Sequence, residues 1–319
     1  MEKFTFIILN YNSTEETIRC IDAIDSLKYI EKYIVVVDNA SKNQKFFLKE
    51  LSEHCLNVRN VHILKSKENC GYACGNNIGI DFAIRVIKSD FICVINPDVV
   101  IKSDNFIEKS IELYYKYHYS VCGPKIISDG YNCNPIGGYK ESILYNVYHL
   151  IENYRIILTK KLRLGRFNFI KKIQKKPRCS KETKYIECDR KNDYSAEILL
   201  NKSMEKQLSG ACLIFSPTFL KKFSGFCDKT FLYCEETIVT IVCFNMGYAM
   251  LYAPQLEVLH EAGKSLENTI KEDDERKIHV SKIGASSVKI VINILLHKHN
   301  KEYLQKCLIP TIQDYEEYI

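Results

Sequence analysis

The chain has 319 residues, 46% of them hydrophobic, which is enough for a sizeable buried core in one large or two small domains. Its formal net charge of +6 is modest and its fourteen cysteines are scattered without a CxxC pair, so a disulfide scaffold and a zinc-ribbon protein are both excluded. The thiols read as reduced, and with no signal-peptide core after Met1 the expectation is a cytoplasmic protein.

In chain order, "FTFIILNYN" opens as a short apolar run from Phe4. A helix follows over 14–27, with acids in its first turn and Ile18, Ile21, Ile24 and Leu27 on one face. The β-branched run "YIVVVDNAS" ends on Asp38, a polar helix passes through Phe47 and Leu51, and "VHILKS" is the next strand. After the glycine-rich "ENCGYACGNNIG", a helix carries Ile80, Ala83, Ile84 and Ile87, and "FICVINPD" closes the set. Strands that are continuously apolar rather than alternating predict a parallel sheet covered on both faces. Ligands of such sheets lie beyond the carboxyl ends of the strands. Asn10, Asp38 and Asp98 each stand at the end of an apolar run, although each alone also fits a turn or helix-cap residue.

Periodicity fades between residues 139 and 207. Ten lysines and arginines crowd Lys160 to Lys181, a basic insertion suited to an anionic membrane surface or to a plain solvated face, without any nucleic-acid-binding motif beside it. Order returns with a strand over 211–215, a helix start at Pro217, an apolar helix from Glu235 to Met246 stopped by Gly247, and a strand to Ala253. The stretch after Lys271 is charged and helical, and its apolar part, 283–296, contains Lys289 and reads as a packed or interfacial helix rather than a membrane span. Cys70 and Cys74 lack the second pair of a metal site and read as small buried hydrophobes.

Seven motifs, "ILNYNS", "VVVDNASKN", "ENCGYACGNNIG", "VINPDVVI", "LSGACLIF", "GFCDKTFLYCEET" and "VLHEAGKS", stand in an order and spacing that resemble a family two glycosyltransferase of the GT-A fold, in its rhamnosyltransferase-like branch. The resemblance implies a Rossmann-like α/β domain over 1–265, interrupted by a basic insertion at about 140–206, and a helical extension over 266–319. It implies inverting sugar transfer from a UDP- or dTDP-linked donor to a glycan or lipid-linked glycan of surface polysaccharide biosynthesis. The enzyme would work at the inner face of the membrane, the final stretch being a candidate for pairing two subunits.

The residues carry that chemistry in a physically sensible way. Departure of a nucleoside diphosphate leaves negative charge that a Mn2+ or Mg2+ ion offsets, and Asp98 supplies a hard carboxylate ligand. The resemblance implies that His260 completes the metal shell. Asn96 stands where the family often has the first acid of a D-x-D turn. Asp38 matches the position that reads the base or ribose of the nucleotide, and Asn10 ends the neighbouring strand. Gly71, Gly75 and Gly79 are spaced four apart, unlike a dinucleotide fingerprint, which argues against a dehydrogenase. They allow close backbone approach to a donor, with Asn69, Asn76 and Asn77 as amides at a helix start, or else tight helix-to-sheet packing. In the acidic pair Glu235-Glu236 the family position of the base is Glu236, with Glu235 its neighbour. The chain departs from the family in Ile238, Val239 and Val242, where an Asp-Leu pair and an Arg are usual. That departure, with Asn96, keeps open a non-catalytic sugar-nucleotide or glycan-binding member of the same fold.

Overall fold

The structure is a computed structural model that describes residues 1–137, 142–161, 198–200, 206–261 and 273–319. Most of the basic run between Lys160 and Lys181 lies outside the described residues, so the expectations placed on it are not addressed.

The first half alternates as its apolar runs require: β1 (Phe4–Asn10), α1 (Thr14–Asp25), β2 (Lys32–Asp38), α2 (Gln44–His54), β3 (Val61–Ser66), α3 (Gly71–Phe82) and β4 (Phe91–Ile95). There follow β5 (Val99–Ile101), α4 (Phe106–Tyr117), β6 (Val121–Ser128), the short strands β7 (Tyr131–Asn132) and β8 (Ile136–Gly137), and α5 (Ile143–Lys161). Beyond the insertion stand β9 (Ile198–Leu199), β10 (Lys206–Gln207), β11 (Cys212–Phe215), α6 (Pro217–Leu220), α7 (Glu235–Met246) and β12 (Met250–His260). The chain ends with α8 (Asp273–Leu296), α9 (Lys301–Cys307) and β13 (Tyr315–Glu317).

The central sheet has the order β13-β3-β2-β1-β4-β11-β6-β12-β5. Strands β3, β2, β1 and β4 are parallel, as their unbroken apolar runs predict. The rest is mixed: β11 is antiparallel to both β4 and β6, β12 is parallel to β6, and β5 and β13 are antiparallel edge strands. Alternate side chains on each strand feed two cores. Phe6, Ile8 and Val36 pack with Ile21, Phe47 and Ile107 beneath α1, α2 and α4. Ile7, Val35 and Val37 pack with Ile78, Ile238, Ile241 and Val291 beneath α3, α7 and α8. Burying an aliphatic side chain of this kind contributes about 1.5–3 kcal/mol, so the sandwich, not helix propensity, holds α3 and α7 in place.

Three elements differ from the expectations. The strand expected to stop at Ala253 runs on to His260, because a register shift between Ala253 and Glu257 absorbs Pro254 as a bulge before pairing resumes. Helix α5 occupies a stretch with no clear period, and β13 returns the charged C-terminal stretch to the sheet beside β3. Helix α8 is long and apolar enough by length and composition to cross a membrane, yet Val288, Val291, Ile294 and Leu295 are buried against the protein.

Candidate functional site

Strand order alone brings two of the expected residues together. Because the end of β12 runs antiparallel to β5, His260 sits opposite Val99, one residue beyond Asp98, and the Glu261 N–H donates to the Asp98 carbonyl at 2.9 Å. The result is a contact of 3.3 Å between His260 Nε2 and Asp98 Oδ1, with both side chains largely but not wholly covered. A carboxylate and an imidazole converging at a partly open strand end are a donor set that suits a divalent cation, leaving further positions for phosphate oxygens and water. Among the described residues no group of three or more His, Cys, Asp and Glu side chains forms a metal cluster.

The acidic pair reaches the same place by a second route. Strand β11 runs antiparallel to β4, so its beginning lies beside the end of β4: the Asn96 N–H donates to the Ala211 carbonyl at 2.9 Å. Gly210, one residue earlier, lies under the first turn of α7, where a Cβ on it would stand 3.4 Å from Glu236 Oε2. The Tyr72 hydroxyl closes the link, 2.8 Å from the Gly210 carbonyl and 3.2 Å from Asn96 Oδ1. Its phenol is held well above its usual pKa by burial first, then by the neighbouring carboxylates of Glu235 and Glu236 and, more weakly, of Asp98. One side chain therefore senses both acidic clusters. Sequence reasoning missed Tyr72, whose partner Gly210 is remote in the chain.

Glu235 is 3% exposed and its Oε1 has no partner, whereas Glu236 is only partly covered. Burial, then the neighbouring Glu236, pushes the Glu235 carboxyl up to about 7, against hydrogen bonds from its own backbone, Thr230 and Tyr233. Burial also raises Glu236, opposed by its own backbone N–H. The residues leading into the helix, Tyr233 and Cys234, have φ of +73° and +71°, a left-handed pair without glycine that aims the acidic turn.

Asn10 and Asp38 are fully buried and bonded to each other: Asn10 Nδ2 donates to Asp38 Oδ1 at 2.7 Å. Asp38 also accepts from the Ser41 N–H and hydroxyl and from Gln44 Nε2 at 2.6 Å, while Asn10 Oδ1 accepts from Ser13 and Thr17. The two side chains thus tie β1, β2 and the starts of α1 and α2 into one rim. Neighbouring Asn39, not singled out from sequence, links that rim to the glycine-rich segment, donating to Asn69 Oδ1 at 3.0 Å and to the Gly71 carbonyl at 3.2 Å.

The glycines show close packing of the chain on itself. A Cβ on Gly71, whose φ is +87°, would meet the Phe231 carbonyl oxygen at 2.2 Å, where the Tyr72 N–H already donates to that oxygen. Gly75 and Gly79 press α3 onto Leu9 and Ile7 of β1. Asn76 donates to the Tyr72 carbonyl at 3.0 Å and its buried Oδ1 has no partner, while Asn77 exchanges hydrogen bonds with the Phe226 backbone. Cys74 is buried and Cys70 half-buried.

Against known proteins, the sequence profile of Glycosyl transferase family 2 matches residues 5–173. The low-salt glycan biosynthesis hexosyltransferase Agl10 of Haloferax volcanii is 28% identical over 128 residues, 40% of this chain and 38% of that protein. The chain thus aligns to less than half the length of this relative. Among solved structures, residues 1–349 of S. aureus TarS superpose with a TM-score of 0.50 at 13% identity, covering 93% of this chain and 71% of that one, and the same TarS fragment in complex with UDP gives the same figures. At that identity the likeness establishes the shared GT-A-like α/β fold, a mixed sheet flanked by helices.

Proposed function

This chain belongs to glycosyl transferase family 2, and from that membership we propose that it is an inverting glycosyltransferase moving a sugar from a UDP- or dTDP-linked donor to a hydroxyl of a glycan or lipid-linked glycan. One observation carries the reading: the partly covered Glu236 lies over Gly210, and Tyr72 bridges Gly210 to the turn that holds Asp98 against His260. In this reading the donor and acceptor meet between Glu236 as proton acceptor and the Asp98–His260 end as the anion-stabilising side.

The acceptor hydroxyl oxygen forms a bond to the anomeric carbon as the bond from that carbon to the donor diphosphate breaks, and the hydroxyl proton passes to Glu236. Burial raises Glu236 above the ordinary carboxylate range, which makes the ionised form a better base. Attack from the face opposite the diphosphate inverts the anomeric carbon. Asp98 and His260 are the residues that would hold Mn2+ or Mg2+, which when bound supplies positive charge at the departing diphosphate. Asn96 brings an amide where a second acid would add charge, and that amide already faces the Tyr72 hydroxyl. The buried Asp38–Asn10 pair at the ends of β1 and β2 would set the geometry of the loops for base or ribose recognition. The motif resemblance favours the rhamnosyltransferase-like branch and an acceptor of surface polysaccharide synthesis presented at the cytoplasmic membrane face.

The test is release of nucleoside diphosphate by the purified chain from a panel of UDP-, dTDP- and GDP-sugars with Mn2+ or Mg2+ and envelope glycolipid acceptors, with the product's anomeric configuration read by NMR. Release with inversion supports the proposal; retention of configuration overturns it. Asn96, Ile238 and Val242 favour a second reading, a non-catalytic sugar-nucleotide binder, which predicts calorimetric donor binding and no release with any acceptor.

A further inference from the structure

Helix α5 buries Ile157 but also turns a row of large apolar side chains outward. Its inward side carries Asn146, 5% exposed, and Asn153, which packs on Gly284 of α8. Its outward side carries Leu144, Ile151 and Leu158 at two-turn intervals, 80%, 59% and 57% exposed, flanked by Tyr148 and Tyr154. The other exposed residues of this helix are Ile143, Arg155 and Lys161, and no acid is among them. Five large apolar side chains in a row make a contiguous patch of the kind that soluble surfaces avoid unless something covers it.

The neighbour that borders the patch, α8, carries its acids in its first turn and lysines along the rest of the border. Helices α5 and α8 run antiparallel, as Lys160 pairs with Asp274 at one end and Leu144 shares a cleft with Leu295 and Lys298 at the other. Between them the Lys289 ammonium lies 5.4 Å from the centre of the Tyr154 ring. Lys282, two turns earlier on the same face of α8, is exposed as well. An apolar ridge with tyrosines beside it and lysines along one border matches a bilayer interface, where acyl chains take the Leu and Ile side chains, tyrosines lie at headgroup level and anionic phosphates meet the lysines.

We propose that the outward face of α5, with Lys282 and Lys289 of α8, is a docking surface for an anionic lipid bilayer, the helix lying in the interface plane along about 28 Å. A second copy of the chain fits less well, because antiparallel two-fold pairing of the ridges sets the lysine borders of both copies side by side, and parallel pairing leaves each lysine border facing the neutral side of the other ridge. The surface is separate from the reaction proposed above, and its test does not read turnover.

Flotation of the full chain with vesicles of phosphatidylcholine and phosphatidylglycerol, against phosphatidylcholine alone, is the experiment. The native chain floats with the anionic vesicles and at least tenfold less with the neutral ones. The triple variant Leu144→Ser, Ile151→Ser, Leu158→Ser, at exposed positions and with unchanged thermal unfolding, loses at least tenfold in bound fraction. Lys282→Glu with Lys289→Glu loses several-fold and no longer responds to salt. Native-like flotation of the folded triple variant overturns the proposal, as does equal binding to both vesicle types. A native dimer that the triple variant dissociates, with no flotation of either, overturns it in favour of a second copy.

Discussion

His260 Nε2 lies 3.3 Å from Asp98 Oδ1, a contact made by the antiparallel pairing of β12 with β5 rather than by any local sequence feature. In the proposed reaction this pair holds the cation. Asp98→Ala and His260→Ala are each expected to lower turnover by at least a hundredfold and to remove the Mn2+ dependence of donor binding in calorimetry. Both residues sit at a partly open strand end, so thermal stability should change by less than about 1 kcal/mol.

Glu236→Gln keeps the size of the side chain and removes the proton acceptor. Turnover is expected to fall by roughly 10²–10⁴-fold, the usual contribution of a general base, while the donor dissociation constant stays within about threefold of native. Equal loss of binding and turnover in stopped-flow and calorimetry would assign the residue to donor binding instead.

Glu235 contributes to stability with a definite sign. Its carboxyl is raised in the folded chain to about 7, so between its ordinary value and 7 the folded state holds a proton that the unfolded state has released. Stability therefore falls as pH rises through that window, by an amount on the order of 3 kcal/mol for a shift of this size. Glu235→Gln should flatten the fall and raise the melting temperature at pH 8 while leaving it nearly unchanged at pH 5, as read by calorimetry at both pH values.

At Gly71 a methyl group would overlap the Phe231 carbonyl, and φ of +87° already disfavours any other residue. Gly71→Ala should cost about 1–3 kcal/mol in urea unfolding and weaken the hydrogen bond from Tyr72 to Phe231. Gly130, also at positive φ but with open space around it, supplies the control: Gly130→Ala pays for strain alone and should cost about half as much.

The parallel half of the sheet was legible because both of its faces are buried, so each strand is written as an unbroken apolar run. Helix α5 was not, since apolar residues stand on both its faces, Ile157 inward and Leu144, Ile151 and Leu158 outward, and the inward Asn146 blurs the contrast further. Strand β12 was read short because Pro254 looks like a terminus, and only the bulge after Ala253 shows how pairing continues. Within the site, the turn at Asp98, His260 and the acidic pair stood out as motifs at strand and helix ends. Tyr72 did not: inside a glycine-rich helix start it looks like one more packing aromatic, and its role depends on Gly210, which no local pattern announces.

Asp98 and His260 come from opposite ends of the folding problem, one beside the early parallel strands and the other on a strand made only after the insertion and α7 are in place. If the pair holds the cation of the proposed reaction, a nascent or partly folded chain carries only half of that site, and cations and sugar nucleotides would select finished molecules over intermediates. Ligand-induced protection from proteolysis would accordingly arise in one step, with the whole sheet assembled, and not in stages along synthesis.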